Sequence, residues 1–129
     1  MKILFICLGN IARSQIAEGF YNHLTKTDDA KSAGANDTYL YYKHPLPYAI
    51  EVMKEEDIDI SKQYPKQVTE DMIKAADNIY VLCKKEYCPV FVQESKKASF
   101  WNIPDPYQSN IKTFREIRDK IKEKVSQII

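Results

Sequence analysis

Cys7 and Arg13 bracket five residues in the stretch Cys7-Leu8-Gly9-Asn10-Ile11-Ala12-Arg13-Ser14. An apolar run, Ile3-Leu4-Phe5-Ile6, stands directly before it, and a helical pattern opens near Arg13. A buried strand, a tight loop and a helix N-terminus in that order make an anion site. Successive loop N–H groups can turn inward, and the positive end of the helix dipole points at the same place. Gly9 lets the backbone bend without a Cβ clash, and the planar Arg13 guanidinium can grip two oxyanion oxygens at once. Cys7 lies at the mouth, where that field favours the thiolate, the reactive form. The chemistry this predicts is a cysteine nucleophile facing a tetrahedral oxyanion held by Leu8 through Ser14.

A partner for Cys7 is Asp105, whose backbone is restricted by Pro104 and Pro106. An Asp there could protonate a leaving oxygen as Cys7 attacks, then activate water against the covalent intermediate. Read alone, a Pro-flanked Asp is more often a turn residue. Cys83 ends an apolar run, and Cys88 follows after four residues. Three readings stand side by side for this pair. Core packing suits a small apolar side chain. Metal binding would need further ligands, and His23 and His44, the only histidines, lack ligand spacing. Redox chemistry would relay a disulfide from Cys7 through Cys83 to Cys88. No metal or cofactor is expected, and neither histidine is given a role.

The elements that must position these groups can be read from apolar periodicity. Lys2–Cys7 and Asn78–Cys83 read as buried strands, Ala30–Gly34 as a weaker one and Ala98–Trp101 as a fourth. A helix from about Arg13 to Lys26 carries Ile16, Ala17, Phe20 and Leu24 on one stripe, with Gly19 allowing close packing against the sheet. Residues 35–44 read as a loop whose tyrosines, Tyr39, Tyr41 and Tyr42, are expected to be partly buried beneath it rather than to rim the pocket. Pro47 starts a helix with Ala49, Val52 and Met53 inward. Ile58-Asp59-Ile60-Ser61 alternates like a short extended piece, and Thr69 caps a short helix through Ala76. Lys84–Lys97 reads as a loop or short helix. The last helix buries Ile111, Phe114, Ile117, Ile121, Val125 and Ile128, with Arg115, Arg118, Lys122 and Glu123 on a solvated face.

Alternating strands and helices, with the ligand loop after the first strand, predict an α/β three-layer sandwich around a four-stranded parallel sheet. The first strand would be central, the loop at the switch point, and Cys83 and Asp105 at the same sheet edge. With 129 residues the chain is expected to form a single domain, 1–129. A net charge of +1 argues against a nucleic-acid footprint or a membrane surface, so any anion must be gripped locally. No run is long enough to span a membrane. Three cysteines, an odd number, suit a reducing compartment, and a cytoplasmic location is expected.

The loop Cys7–Ser14, together with Asp105-Pro106-Tyr107, resembles the low-molecular-weight protein tyrosine phosphatases. Within that fold the sequence is more similar to the thioredoxin-coupled arsenate reductases. The similar stretches are Ser14–Gly19, Ser32-Ala33-Gly34, Ala49–Ser61, Leu82-Cys83 through Cys88-Pro89, Trp101 ahead of Asp105-Pro106, and Phe114–Ile121, nearly the whole chain in order.

The resemblance implies that Cys7 attacks arsenate held by the loop and Arg13, with Asp105 assisting departure of water. Cys83 then attacks Cys7, releasing arsenite, and Cys88 attacks Cys83 to leave a disulfide for thioredoxin to reduce. It further implies that Asn10 holds the loop shape and that Ser14 hydrogen-bonds the Cys7 thiolate. The alternative activity is hydrolysis of phosphate esters, protein phosphotyrosine among them, through a cysteinyl-phosphate. That route needs Cys7, Arg13 and Asp105 but neither other cysteine.

This sequence departs from the family pattern in four places. The Cys83–Cys88 spacer is short. Lys66 stands where some relatives carry an Asp that helps bind potassium, so its ammonium could replace the ion and no potassium is required. Tyr107 follows the phosphatase branch, whose aromatic residue there lines a phosphotyrosine pocket. Ala12 replaces a second cysteine.

Overall fold

The apolar run at the N-terminus becomes strand β1, Ile3–Cys7, in which all five residues are buried. Continuous burial follows from cover on both faces. Ile3, Phe5 and Cys7 enter one apolar core, while Leu4 and Ile6 enter another. In the computed structural model, which describes residues 1–129, β1 pairs in parallel with β2 (Ala30–Gly34) and with β3 (Asn78–Val81). β3 in turn pairs in parallel with β4 (Ala98–Phe100), giving the order β2-β1-β3-β4. The register aligns Cys7 with Gly34 and Ile6 with Val81, so the ends of β1, β2 and β3 reach one sheet edge together.

The larger core lies between one sheet face and three helices: α1 (Arg13–Thr25), α2 (Pro47–Lys54) and α5 (Ile111–Ser126). α2 opens on Pro47, where a missing N–H costs nothing. The second core packs beneath α3 (Glu70–Ala75) and α4 (Val90–Gln93). Thr69 caps α3 by accepting the Met72 N–H at 3.2 Å, and Asn110 caps α5 by accepting the Thr113 N–H at 2.9 Å. No helix is long and apolar enough to cross a membrane.

Three packing expectations change, those for Leu24, Gly19 and Arg118. Leu24 is 42% exposed, and Tyr21 takes the last buried place on α1, where its ring meets Phe5 edge-on. Gly19 does not face the sheet. A Cβ there would lie 2.7 Å from Ile60 Cγ2 and 3.2 Å from Met53 Cε, so it admits α2 and the Ile58–Ile60 segment to α1. That segment has the expected in-out-in burial but joins no strand. Arg118 is buried rather than solvated. It lies four residues after Phe114 on the apolar stripe, and its guanidinium donates to Val52 O at 2.9 Å and to Glu55 and Asp119. Against the cost of burial, Asp119 and Glu55 hold Arg118 as the cation, while the guanidinium groups of Arg115 and then Arg118 keep the Glu55 carboxyl below its usual range.

Candidate active site

Cys7 arrives at the sheet edge 2% exposed, and the chain turns at once into the loop that leads to α1. The left-handed residue of this turn is Asn10 (φ 60°), not Gly9. Gly9 is required for a different reason, since a Cβ there would lie 3.0 Å from Thr38 Oγ1. Asn10 is held in its unusual conformation by its own side chain. Nδ2 donates to Ser14 Oγ at 2.7 Å and to Ser32 Oγ at 3.0 Å, while Oδ1 accepts the Lys66 N–H at 3.0 Å. Because Ser14 Oγ accepts from that amide, its hydroxyl hydrogen is free to point at Cys7 Sγ, 3.0 Å away. The Asn10 N–H also donates to Cys7 Sγ, at 3.3 Å. The Asn10 N–H and the Ser14 hydroxyl thus both face the sulfur.

The backbone N–H groups of Leu8, Gly9, Ile11, Ala12, Arg13 and Ser14 donate to no backbone carbonyl, and Ala12 caps α1 with no side-chain bond. These are the donors a tetrahedral anion would take. Beyond them Arg13 is anchored by Nη1, which donates to Leu82 O at 3.1 Å and Ile103 O at 2.9 Å. Its other nitrogen, Nη2, lies 3.5 Å from Asp105 Oδ2. Asp105 is oriented by its neighbour, since Oδ1 accepts the Tyr107 N–H at 3.0 Å, and its side chain stays 45% exposed. Cys7, Arg13 and Asp105 line one cavity of about 420 Å³.

Cys83 and Cys88 are both buried, with sulfurs 3.9 Å apart. Cys83 lines a wider depression that shares Leu8, Arg13 and Asp105 with the first cavity. The Cys83 thiol is pushed up, first by its hydrogen bond to Cys88 and then by burial. Cys88 is lowered by receiving that hydrogen bond. The four residues between them are exposed and form a single 3₁₀ turn at Lys85–Tyr87. No group of three or more His, Cys, Asp or Glu side chains is arranged to hold a metal ion.

Behind the loop lies a polar network whose full extent the sequence reading did not anticipate. Ser32 Oγ donates to Glu18 at 2.6 Å, and Lys66 Nζ donates to Ser32 O at 2.9 Å and Tyr64 O at 3.2 Å. Burial raises the Glu18 carboxyl and lowers the Lys66 ammonium, and their opposite charges partly offset both shifts. Gln15, fully buried, donates to Asn10 O at 3.0 Å and receives Gln63. The signal available was a polar residue, Gln15, next to the Ile16-Ala17 stripe.

The loop tyrosines overturn the expectation of burial. Tyr39 and Tyr41 are 41% and 77% exposed, and Tyr41 and Tyr42 line the Cys7 cavity. Tyr42 Oη lies 3.0 Å from Tyr107 Oη, a hydrogen bond that raises the Tyr42 phenol above its ordinary value. The rim reading describes Tyr41 and Tyr42, which with Tyr107, Thr38 and Leu46 surround the mouth, while Tyr39 lies outside that lining.

With this geometry in view, comparison with known proteins is direct. The family model described as low molecular weight phosphotyrosine protein phosphatase matches residues 2–129. The chain belongs to this family. Among curated relatives, arsenate reductase 1 of Staphylococcus saprophyticus is 37% identical over 124 residues, covering 93% of this chain and 89% of the relative. An arsenate reductase of Oceanobacillus iheyensis is 34% identical over 133 residues, covering 95% of this chain and 91% of its own. Among solved structures, Vibrio vulnificus Wzb in complex with benzylphosphonate superposes with a TM-score of 0.87 at 27% identity, covering 98% of this chain and 94% of that one. The low molecular weight protein tyrosine phosphatase of T. tengcongensis follows at 0.86 and 26%, covering 99% and 97%.

Proposed function

We propose that this family member is an arsenate reductase, with Cys7, Cys83 and Cys88 forming a thiol–disulfide relay recycled by thioredoxin. The observation that carries the reading is the second and third thiol, 3.9 Å apart, with Cys83 lining a depression shared with Arg13 and Asp105. Relatives named arsenate reductase at 34–37% identity support it.

In this reading the loop amides and Arg13 bind arsenate, and the Cys7 thiolate forms an S–As bond while a proton from Asp105 lets one oxygen leave as water. Cys83 then attacks Cys7 Sγ. The S–As bond breaks with its electron pair on arsenic, so arsenite departs and a Cys7–Cys83 disulfide remains. The proton on the raised Cys83 thiol passes to Cys88, which already accepts its hydrogen bond. Once Cys88 is again a thiolate it attacks Cys83, freeing Cys7. The exposed turn between the two cysteines offers the new disulfide to thioredoxin. A relay of free thiols fits a reducing compartment, here the cytoplasm.

The test is a set of Cys7→Ser, Cys83→Ser and Cys88→Ser variants, each assayed for arsenate reduction with thioredoxin and for hydrolysis of an aryl phosphate. All three should lose multiple-turnover reduction, and only Cys7→Ser should lose hydrolysis. Undiminished reduction by Cys88→Ser would sink the relay.

One observation favours a second reading, hydrolysis of phosphate monoesters. The tyrosine-walled cavity has room beside the anion loop for an aromatic group, and the related Wzb was solved with benzylphosphonate. The same assays decide between the two: efficient hydrolysis with no arsenate reduction by the unmodified chain would select the phosphatase.

A further inference from the structure

We infer that the same site reduces aromatic arsonates, in which an aryl group replaces one oxygen of arsenate, to the trivalent arylarsonous acids with the carbon–arsenic bond intact. The inference rests on the reductase reading above and extends its substrate class.

The cavity at the loop measures about 420 Å³. That lies within the range of organic-ligand sites, roughly 300–1,000 Å³. One water-sized group occupies roughly 30 Å³, so an oxyanion of five heavy atoms leaves most of the space unfilled. What surrounds that space is not suited to more oxygens, since eight of the twelve lining residues are hydrophobic. The polar groups cluster at one end, where Arg13 and Asp105 lie 3.5 Å apart. Tyr41, Tyr42 and Tyr107 stand on the wall, the last two joined through their hydroxyls at 3.0 Å. That bond engages the polar ends of the two rings with each other. Ring faces and edges of this kind receive an aryl group by stacking or edge contact.

An arsonate divides itself the same way. Two oxygens meet the Arg13 fork and the loop amides, the third meets Asp105, and the ring lies toward the tyrosines. The chemistry balances with the chain's own thiols. Cys7 forms the S–As bond as one oxygen leaves as water. Cys83 then attacks Cys7 Sγ, and the S–As electron pair stays on arsenic. One arylarsonic acid and two thiols give one arylarsonous acid, one disulfide and one water. Arsenic gains two electrons and the two sulfurs lose them.

The experiment uses the full chain, reduced and then freed of reductant, in single-turnover reactions with arsenate, phenylarsonate or methylarsonate. Trivalent arsenic species and the new disulfide are quantified by mass spectrometry. Phenylarsonate should yield one phenylarsonous acid per disulfide, at least about tenfold faster than methylarsonate, which has the carbon–arsenic bond without the ring. Tyr107→Ala should lower the ratio of phenylarsonate to arsenate rates about tenfold, and Tyr107→Phe should largely restore it. Arsenate reduction without phenylarsonate reduction would overturn the inference and leave the reductase reading standing. So would equal rates for phenyl- and methylarsonate, or an unchanged ratio in Tyr107→Ala. Failure to reduce arsenate would remove the reductase reading itself, and the inference with it.

Discussion

At the scale of single residues, Asp105 carries the sharpest consequence. One carboxylate oxygen is engaged by the Tyr107 N–H and the other faces Arg13, while nearly half of the side chain meets solvent. A group so placed can deliver a proton to a departing oxygen and take it back from water. Asp105→Asn keeps the shape and the contact with the Tyr107 N–H but removes the transferable proton. Hydrolysis of aryl phosphates with poor leaving groups should fall about 100-fold, and much less for good leaving groups, read as kcat across a leaving-group series. The anion loop was legible residue by residue because strand, glycine and arginine each leave a mark in the sequence. The tyrosine rim was not, because Tyr41 and Tyr42 follow no period and their exposure depends on where the chain after β2 lands. The positive φ fell on Asn10 because three side-chain hydrogen bonds from other elements hold it there, which no local pattern reports.

At the scale of elements, α1 and β2 are joined to the loop by buried Ser32 with half-buried Glu18 and Lys66. A carboxyl raised by burial binds its proton more tightly in the folded chain, so stability falls as pH climbs from the ordinary value of 4.5 through the folded one. The Lys66 charge limits that rise. Lys66 itself is lowered, so in its alkaline window, below 10.5, stability increases with pH. Lys66→Met deletes the charge that limits the Glu18 rise, along with hydrogen bonds to Ser32 O and Tyr64 O. The variant should lose about 1–3 kcal/mol, and its deficit against the parent should be larger at pH 8 than at pH 5 in thermal unfolding. An unchanged gap would detach Glu18 from Lys66. Strand order and helix faces were readable because both faces of β1 are covered and each helix carries one apolar stripe. Arg118 was misread because charge suggested solvent, although its position four residues after Phe114 placed it on the buried stripe.

At the scale of the whole molecule, the parallel sheet gathers groups that are remote in sequence. Cys7 and Asp105 line one cavity, and Cys83 and Asp105 line the depression beside it, because β1 and β3 end together and the chain beyond β4 folds back over the same edge. The convergence could be expected from topology, but the size and apolar character of the cavity could not, since loops with no periodicity build it. Arg13 binds this edge into one mechanical unit. Its Nη1 is bonded to the carbonyls of Leu82 and Ile103, so the residue proposed to grip the anion also latches the backbone immediately before Cys83. In the proposed relay, drawing Cys83 toward Cys7 would pull on the Leu82 carbonyl and cost the guanidinium an acceptor, loosening its seating as the disulfide closes. A Cys88→Ser chain oxidised to the Cys7–Cys83 disulfide should therefore hold phosphate more weakly than its reduced form, a difference that titration of the two forms by calorimetry would read. In the proposed relay the latch would act as an escapement: each advance of the sulfur chemistry would release the anion that set it in motion.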